Sequence, residues 1–326
     1  MNLLNRLLRE REYGLTAVIL IIGASVAFID TGFLAAGNLK DLIIRCAPTC
    51  IVACGVMLVV LTGEIDISVG SLMALLAALM GMMISETRME LSMWLGIPAT
   101  LMLGTLVGAF TGALVTFGKV PSIIVTLGLL TALRGLTTLI MGGNNIDGLP
   151  DGLGQMTKYG VLGMPISVWT AIVVIIITGM IITQTALGRR LFAVGGSRYS
   201  AKMVGLSETR LKLFVFAYTG FLTGLATVVD IPRLPKIEAG IGIGFELLVI
   251  TCVVVGGVSI SGGRGKLRGV LLAVLLMTMI RPALTFMDVG ESGEKWTRAI
   301  QGMFILLAVI TDSIAQRRRQ RRIHDH

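Results

Sequence analysis

The stretch VVLTGEIDISVGSL, residues 59–72, sets two carboxylates, Glu64 and Asp66, among uncharged and mostly apolar residues. Such a pair could hold a cation, close an ion pair with a buried base, or accept hydrogen bonds from backbone amides freed by a broken helix. Acid–base catalysis fits poorly. The only histidines, His324 and His326, sit at the extreme C-terminal end, so no buried imidazole is available as general base or metal ligand. SISGGRGKLRG, residues 259–269, has the look of a phosphate loop, but the pattern G-x-x-x-x-G-K-[ST] needs Gly at Ile260 and Ser or Thr at Leu267. If ATP drives this protein, another chain must hydrolyse it. Cys46, Cys50 and Cys54 recur every fourth residue and share one helix face. With no His or carboxylate on that face, they read as small packing residues rather than a metal site. No catalytic residue and no cofactor of the chain's own are expected.

The elements that position these residues belong in a bilayer. Of 326 residues, 54% are hydrophobic and only 14% charged, and a mean hydropathy of +0.87 lies beyond ordinary water-soluble domains. A spanning helix takes about 20 mostly apolar residues, a length that uncharged runs such as 93–117 and 161–184 meet unaided. The 41 glycines fit the same setting, because small residues let membrane helices approach closely. The N-terminal MNLLNRLLREREYG is a charged amphipathic lead-in, and the apolar run behind it continues to spanning length, so the first helix is expected to be retained. Apolar runs between polar breaks predict helices near 15–35, 44–62, 67–84, 92–114, 121–141, 162–183, 212–230, 244–260, 269–287 and 297–314.

Charge placement orients that array. With the N-terminus in the cytoplasm, outside segments and their margins carry Lys40, Arg45, Arg88, Lys158, Arg233, Lys236, Lys295 and Arg298. Arg134 and Arg281 fall within spans, and the larger share of the 28 basic residues lies inside. The asymmetry predicts about ten helices with both termini cytoplasmic. It also accounts for the +9 net charge and the basic tail at 315–326, which suits anionic lipid headgroups better than nucleic acid.

The longest inside loop, TALGRRLFAVGGSRYSAKMVGLSETRLKL at 185–213, is also the most basic. Its residues 200–206 can form a short helix after the GGSRYS turn, with Ala201, Met203, Val204 and Leu206 as apolar contacts. A plug for a groove on a cytoplasmic partner and a helix lying in the lipid interface satisfy this pattern equally.

Four segments resemble one family in order and spacing, over nearly the whole chain. GEIDISVGS (63–71), VPSIIVTLGLLTALRGL (120–136), TALGRRLFAVGGSRYSAKMVGL (185–206) and GFELLVITCVVVGGVSISGGRG (244–265) are similar to segments of the permease subunits of bacterial ATP-binding-cassette importers for monosaccharides. That group includes ribose, xylose, rhamnose and autoinducer-2 permeases. The resemblance implies an all-α polytopic membrane protein of the bacterial inner membrane, a single transmembrane permease domain with a type II importer-like fold. It further implies pairing with a second permease copy or a homologous subunit, an ATPase subunit that binds ATP and Mg, and a periplasmic sugar-binding protein. By the same carry-over Ser197, Arg198, Tyr199, Ser200, Ala201, Lys202, Met203, Val204, Gly205 and Leu206 form the coupling helix seated in the ATPase. The polar, glycine-rich loop 142–156, with Asn144, Asn145, Asp147 and Asp151, becomes a landing surface for the binding protein. Glu64 stands where the family usually has glycine, and Arg281 with Pro282 where asparagine is more usual.

An ionisable group at membrane depth costs a few kcal/mol or more unless it faces water, protein or a countercharge. Two placements therefore stay open for Glu64 and Asp66: a hydrated turn at the cytoplasmic surface, or a broken element between helices 2 and 3. In the broken element Asp66 accepts hydrogen bonds from freed amides or Ser68, with Arg134 and Arg281 as candidate countercharges. Arg134 either braces helix ends or snorkels to the surface. Glu246, near the start of its helix, suits the positive end of the helix dipole. The reading is a transporter without covalent chemistry, moving a monosaccharide inward by alternating access. Its rivals are a nucleoside or branched-chain amino-acid permease of related fold, an ion-coupled carrier using Glu64 and Asp66, and an intramembrane lipid enzyme.

Overall fold

The protein is described by a computed structural model covering residues 11–150, 152–154, 160, 162–289 and 293–324. The described residues form helices and connecting loops, with an antiparallel bridge between Ile146 and Ile237. The named helices are α1 (Arg11–Ile29), α2 (Ala36–Leu61), α3 (Val69–Ile84), α4 (Met93–Thr116), α5 (Ser122–Met141), α6 (Ile166–Gln184), α7 (Ala186–Gly196), α8 (Arg198–Met203), α9 (Glu208–Asp230), α10 (Phe245–Val255), α11 (Leu267–Phe286) and α12 (Gly293–His324). Seven of them, α1, α2, α4, α5, α6, α9 and α11, are long and apolar enough to cross a membrane; α9 does so with the short 3-10 turn that extends it to Arg233. Two apolar helices are shorter: α3, and α10, which ends at Val255 where the sequence pattern runs to 260. The final helix continues through His324, past the expected boundary at 314.

Local sequence explains the boundaries. The Ser92 side chain accepts the Trp94 amide, Thr185 that of Gly188 and Ser207 that of Arg210, each closing a free helix N-terminus. Gly142 ends α5 in the left-handed region at φ +59°, a helix stop that glycine adopts without Cβ strain.

The centre of the bundle is α2, 78% buried along its apolar window, whereas α1 at 11% lies on the outside. Small residues set the spacing of the inner helices. Gly104 and Gly108 on α4 face Gly220 and Phe216 on α9 so closely that a Cβ at either α4 position would overlap a backbone oxygen of α9. The outward faces of α1, α4, α5 and α6 carry Leu20, Phe28, Trp94, Phe110, Ile124, Leu139 and Ile176 in the open. On spanning-length helices such surface is matched to hydrocarbon.

The two short helices share a feature. At the usual rise, α3 and α10 extend about 24 and 16 Å, short of a hydrocarbon core of about 30 Å. Each follows an irregular stretch, residues 62–68 and 234–244, and their beginnings meet: a Cβ on Gly70 would overlap the Glu246 carboxylate.

Candidate functional site

Residues 62–68 leave the helical path, and several of their polar groups find partners in neighbouring elements. The Glu64 amide still reaches Val59 O, and Gly63 adopts φ +77°, which glycine enters without Cβ strain. The Ile65 amide donates to Ser122 Oγ at 3.1 Å, and Thr126 Oγ1 donates to Ile65 O at 3.4 Å, both from the first turns of α5. Asp66, 4% exposed, accepts from the Ser68 amide at 2.9 Å and the Ser68 hydroxyl at 2.6 Å, so that its carboxylate closes the start of α3.

Glu64, 6% exposed, has different partners from those the sequence suggested. Its Oε1 lies 2.7 Å from Arg198 Nη2 and 2.6 Å from Lys212 Nζ. Lys212 also pairs with Glu208 at 2.5 Å, and Arg198 Nε lies 3.4 Å from the same carboxylate. Two acids and two bases thus balance within one cluster. Neither expected countercharge takes part. Arg134 donates from Nη1 to Ile241 O at 2.7 Å, bracing the loop before α10 rather than snorkelling, while Arg281 lines a cavity at the opposite end of the bundle. Membrane-depth position alone could not separate these possibilities, because pairing depends on which ends of the helices meet.

The loop expected to dock a partner sits directly over the break. Ser197 caps α8 by accepting the Ser200 amide at 3.2 Å, and Arg198 opens the helix. Ala201 is buried and Leu206 packs against the core, whereas Tyr199, Met203 and Val204 are 77%, 71% and 73% exposed. Ser200, Lys202 and Gly205 are exposed with them. The lead-in to α8 is locked by backbone contact: a Cβ on Gly195 would overlap Leu61 O and the Gly263 amide, and Gly263 N donates to Leu61 O at 2.9 Å. Residues 61–63, 195–196 and 262–263 therefore form one glycine junction. The glycine-rich run 259–269, which has the look of a phosphate loop, supplies this close approach instead.

At the other end, a cavity of about 630 Å³ is lined by Arg45, Thr49, Asp230, Arg233, Arg281, Arg298, Gln301 and the start of α10. Arg233 pairs with Asp230 at 2.6 Å. Glu246 accepts the Gly244 amide at 3.3 Å, as a carboxylate at a helix beginning would. The nearby loop at 142–150 is pinned by the Ile146–Ile237 bridge and by Ser85 Oγ, which donates to Asp147 O at 2.6 Å. Asn145 Oδ1 accepts the Ala239 amide at 3.3 Å, while Asn144 and Asp147 remain exposed; Asp151 lies outside the described residues. All four cysteines are free, and Cys50, Cys54 and Cys252 are buried; among the described residues no three His, Cys, Asp or Glu side chains are grouped to hold a metal.

Sequence reasoning passed over Lys212 and Glu208. The available signal was a glutamate and a lysine four residues apart on the first turns of a spanning helix, one face of which had to be buried.

The family model described as "Branched-chain amino acid transport system / permease component" matches residues 38–309, a span holding the break, the glycine junction and α8. The chain belongs to this permease family. A ribose import permease of Haemophilus influenzae is 34% identical over 314 residues, 95% of each chain. The ribose import permease of Escherichia coli K12 is 31% identical, covering 91% of this chain and 92% of its own. An autoinducer 2 import permease of E. coli O157:H7 is 30% identical over 93% and 87%. No solved structure matches the chain. With seven spanning-length helices, this member of the permease family is a multi-pass inner-membrane protein.

Proposed function

We propose that the chain is the transmembrane subunit of an ATP-binding-cassette importer that passes a monosaccharide of the ribose, rhamnose, xylose or autoinducer-2 class into the cytoplasm. The observation that carries this reading is α8: a short capped helix with Tyr199, Met203 and Val204 exposed, whose lead-in at Gly195 and Gly196 is joined backbone to backbone with the α2–α3 break and the 262–263 turn. A helix merely resting in lipid would not need that junction. Full-length similarity to ribose and autoinducer 2 import permeases supports the sugar class.

In this reading the long helices, α3, α10 and the apolar part of α12 make ten passes in one transmembrane unit, with both termini and α8 on the cytoplasmic side. Residues 197–206 engage an ATPase subunit that binds ATP and Mg, and the exposed Asn144 and Asp147 face a periplasmic binding protein. A second permease subunit completes the pathway. The chain itself makes and breaks no covalent bond. The cavity at the beginning of α10 is the outer part of the route, where arginines, threonines and Gln301 offer donors and acceptors to a polyhydroxylated solute.

Sugar uptake into proteoliposomes tests this, with and without the ATPase and binding protein, using ribose, rhamnose, xylose and autoinducer-2 in turn. Uptake requiring both partners and internal ATP is expected. Uptake by this chain alone, driven by an ion gradient, would replace the importer with a secondary carrier.

A further inference from the structure

We propose that Glu64 is a positioning residue that ties α8 to the α2–α3 break, delivering the displacement of α8 by an ATPase to the start of α3. The proposal rests on the importer reading above. Three separate elements share the charges around Glu64: Arg198 opens α8, Glu208 and Lys212 lie on the first turns of α9, and Glu64 itself lies in the break. The links differ in exposure. Lys212 and Glu64 face each other with side chains 9% and 8% exposed, so that pair is the fixed one. Arg198 is 54% exposed and reaches Glu64 from the element a partner would move.

Two residues beyond Glu64, Asp66 holds both the amide and the hydroxyl of Ser68. A pull on Glu64 therefore arrives at the N-terminus of α3 through one short segment held by Ser122, Thr126 and the Asp66–Ser68 bonds. Beside the cluster, a cleft of about 530 Å³ lined by Lys119, Ser122, Arg198, Glu208 and Lys212 gives the side chains room to shift.

Packing alone does not explain the arrangement. The glycine junction already holds α7, the break and the 259–263 loop together through backbone contact, with no help from the Glu64 side chain. Buried ion pairs contribute little net stability over apolar replacements and are best attested as devices that fix register. Here the register fixed is that of α8 against the break. The role is to keep ATP hydrolysis and solute movement in step.

The test uses the full complex of this permease with its ATPase and binding protein in proteoliposomes, measuring imported radiolabelled ribose and hydrolysed ATP together. For Glu64→Gln we expect ATP hydrolysis within about twofold of wild type and ribose moved per ATP lower by about tenfold. Arg198→Gln, which spares the buried Lys212 pair, should lower the ratio by about threefold, and Lys212→Arg should preserve it. Should Glu64→Gln fail to assemble, Arg198→Gln decides. An assembled Arg198→Gln or Glu64→Gln complex with the wild-type ratio overturns the proposal, as does an Arg198→Gln variant that loses both activities in proportion to lost assembly. Wild-type complex without ATP-dependent uptake overturns instead the importer reading on which it stands.

Discussion

In one region α2 gives way to residues 62–68 before α3 begins; in the other, residues 234–244 lead into α10, whose beginning meets that of α3. Both interruptions precede a short helix, yet their surroundings differ. The first is tied by Ser122, Thr126, Ser68 and a neutral cluster of four charges, and its glycines touch backbone on either side. The second is braced by Arg134, by Asn145 and by the Ile146–Ile237 bridge, and beside it a cavity stays open among arginines. Irregular backbone at membrane depth must be satisfied by protein or water. The first break is satisfied by protein and suits a joint that transmits movement, whereas the second leaves room for water and a polar solute.

The largest effect should come from glycine substitutions that set the two regions against each other. Gly195→Ala forces a methyl into Leu61 O and the Gly263 backbone, and should cost about 3 kcal/mol or more in thermal unfolding of the purified protein. Gly240→Ala, whose nearest neighbour would be Ile243 Cδ1 at 3.7 Å, should stay within about 0.5 kcal/mol. Equal losses at both sites would erase the distinction. Next in size, Asp66→Ala removes both Ser68 bonds and should cost about 2 kcal/mol, while Asp66→Asn keeps an acceptor and should cost about half of that.

Arg134→Met leaves Ile241 O without its donor and should cost about 1 kcal/mol. Its sharper mark is functional: uptake falls while ATPase assembly, read by co-purification, is unchanged, because α8 lies at the far end. The smallest change is expected at the exposed Asn144 and Asp147. Their alanine variants should unfold within about 0.5 kcal/mol of wild type, and stimulation of ATP hydrolysis by the binding protein should weaken. Unchanged stimulation would place that protein elsewhere.

Much of the helical plan was legible because long apolar runs have one physical outlet, and each predicted run overlaps a helix, although α2 starts at Ala36 rather than 44, α1 ends at Ile29 rather than 35 and α12 continues to His324. The break between the second and third runs and the start of the α8 segment were also visible, since GEIDIS and GGSRYS interrupt apolar or helical periodicity with glycine, serine and charge. Partner choice was not. Arg134 and Arg281 were chosen for Glu64 because they too fall within spans, but sequence gives depth along a helix and says nothing of which helix stands alongside.

By itself, then, the sequence determined that the chain enters a bilayer, where it must break, and that its buried carboxylates require partners, because transfer free energies act on each segment independently. Tertiary structure decided the rest. Bringing α9 beside α2 supplied Lys212 and Glu208, folding 195–196 onto 61–63 made the glycine junction, and the meeting of α3 with α10 set a tied break beside an open one. Those contacts join residues far apart in the chain, and only the packed bundle defines them.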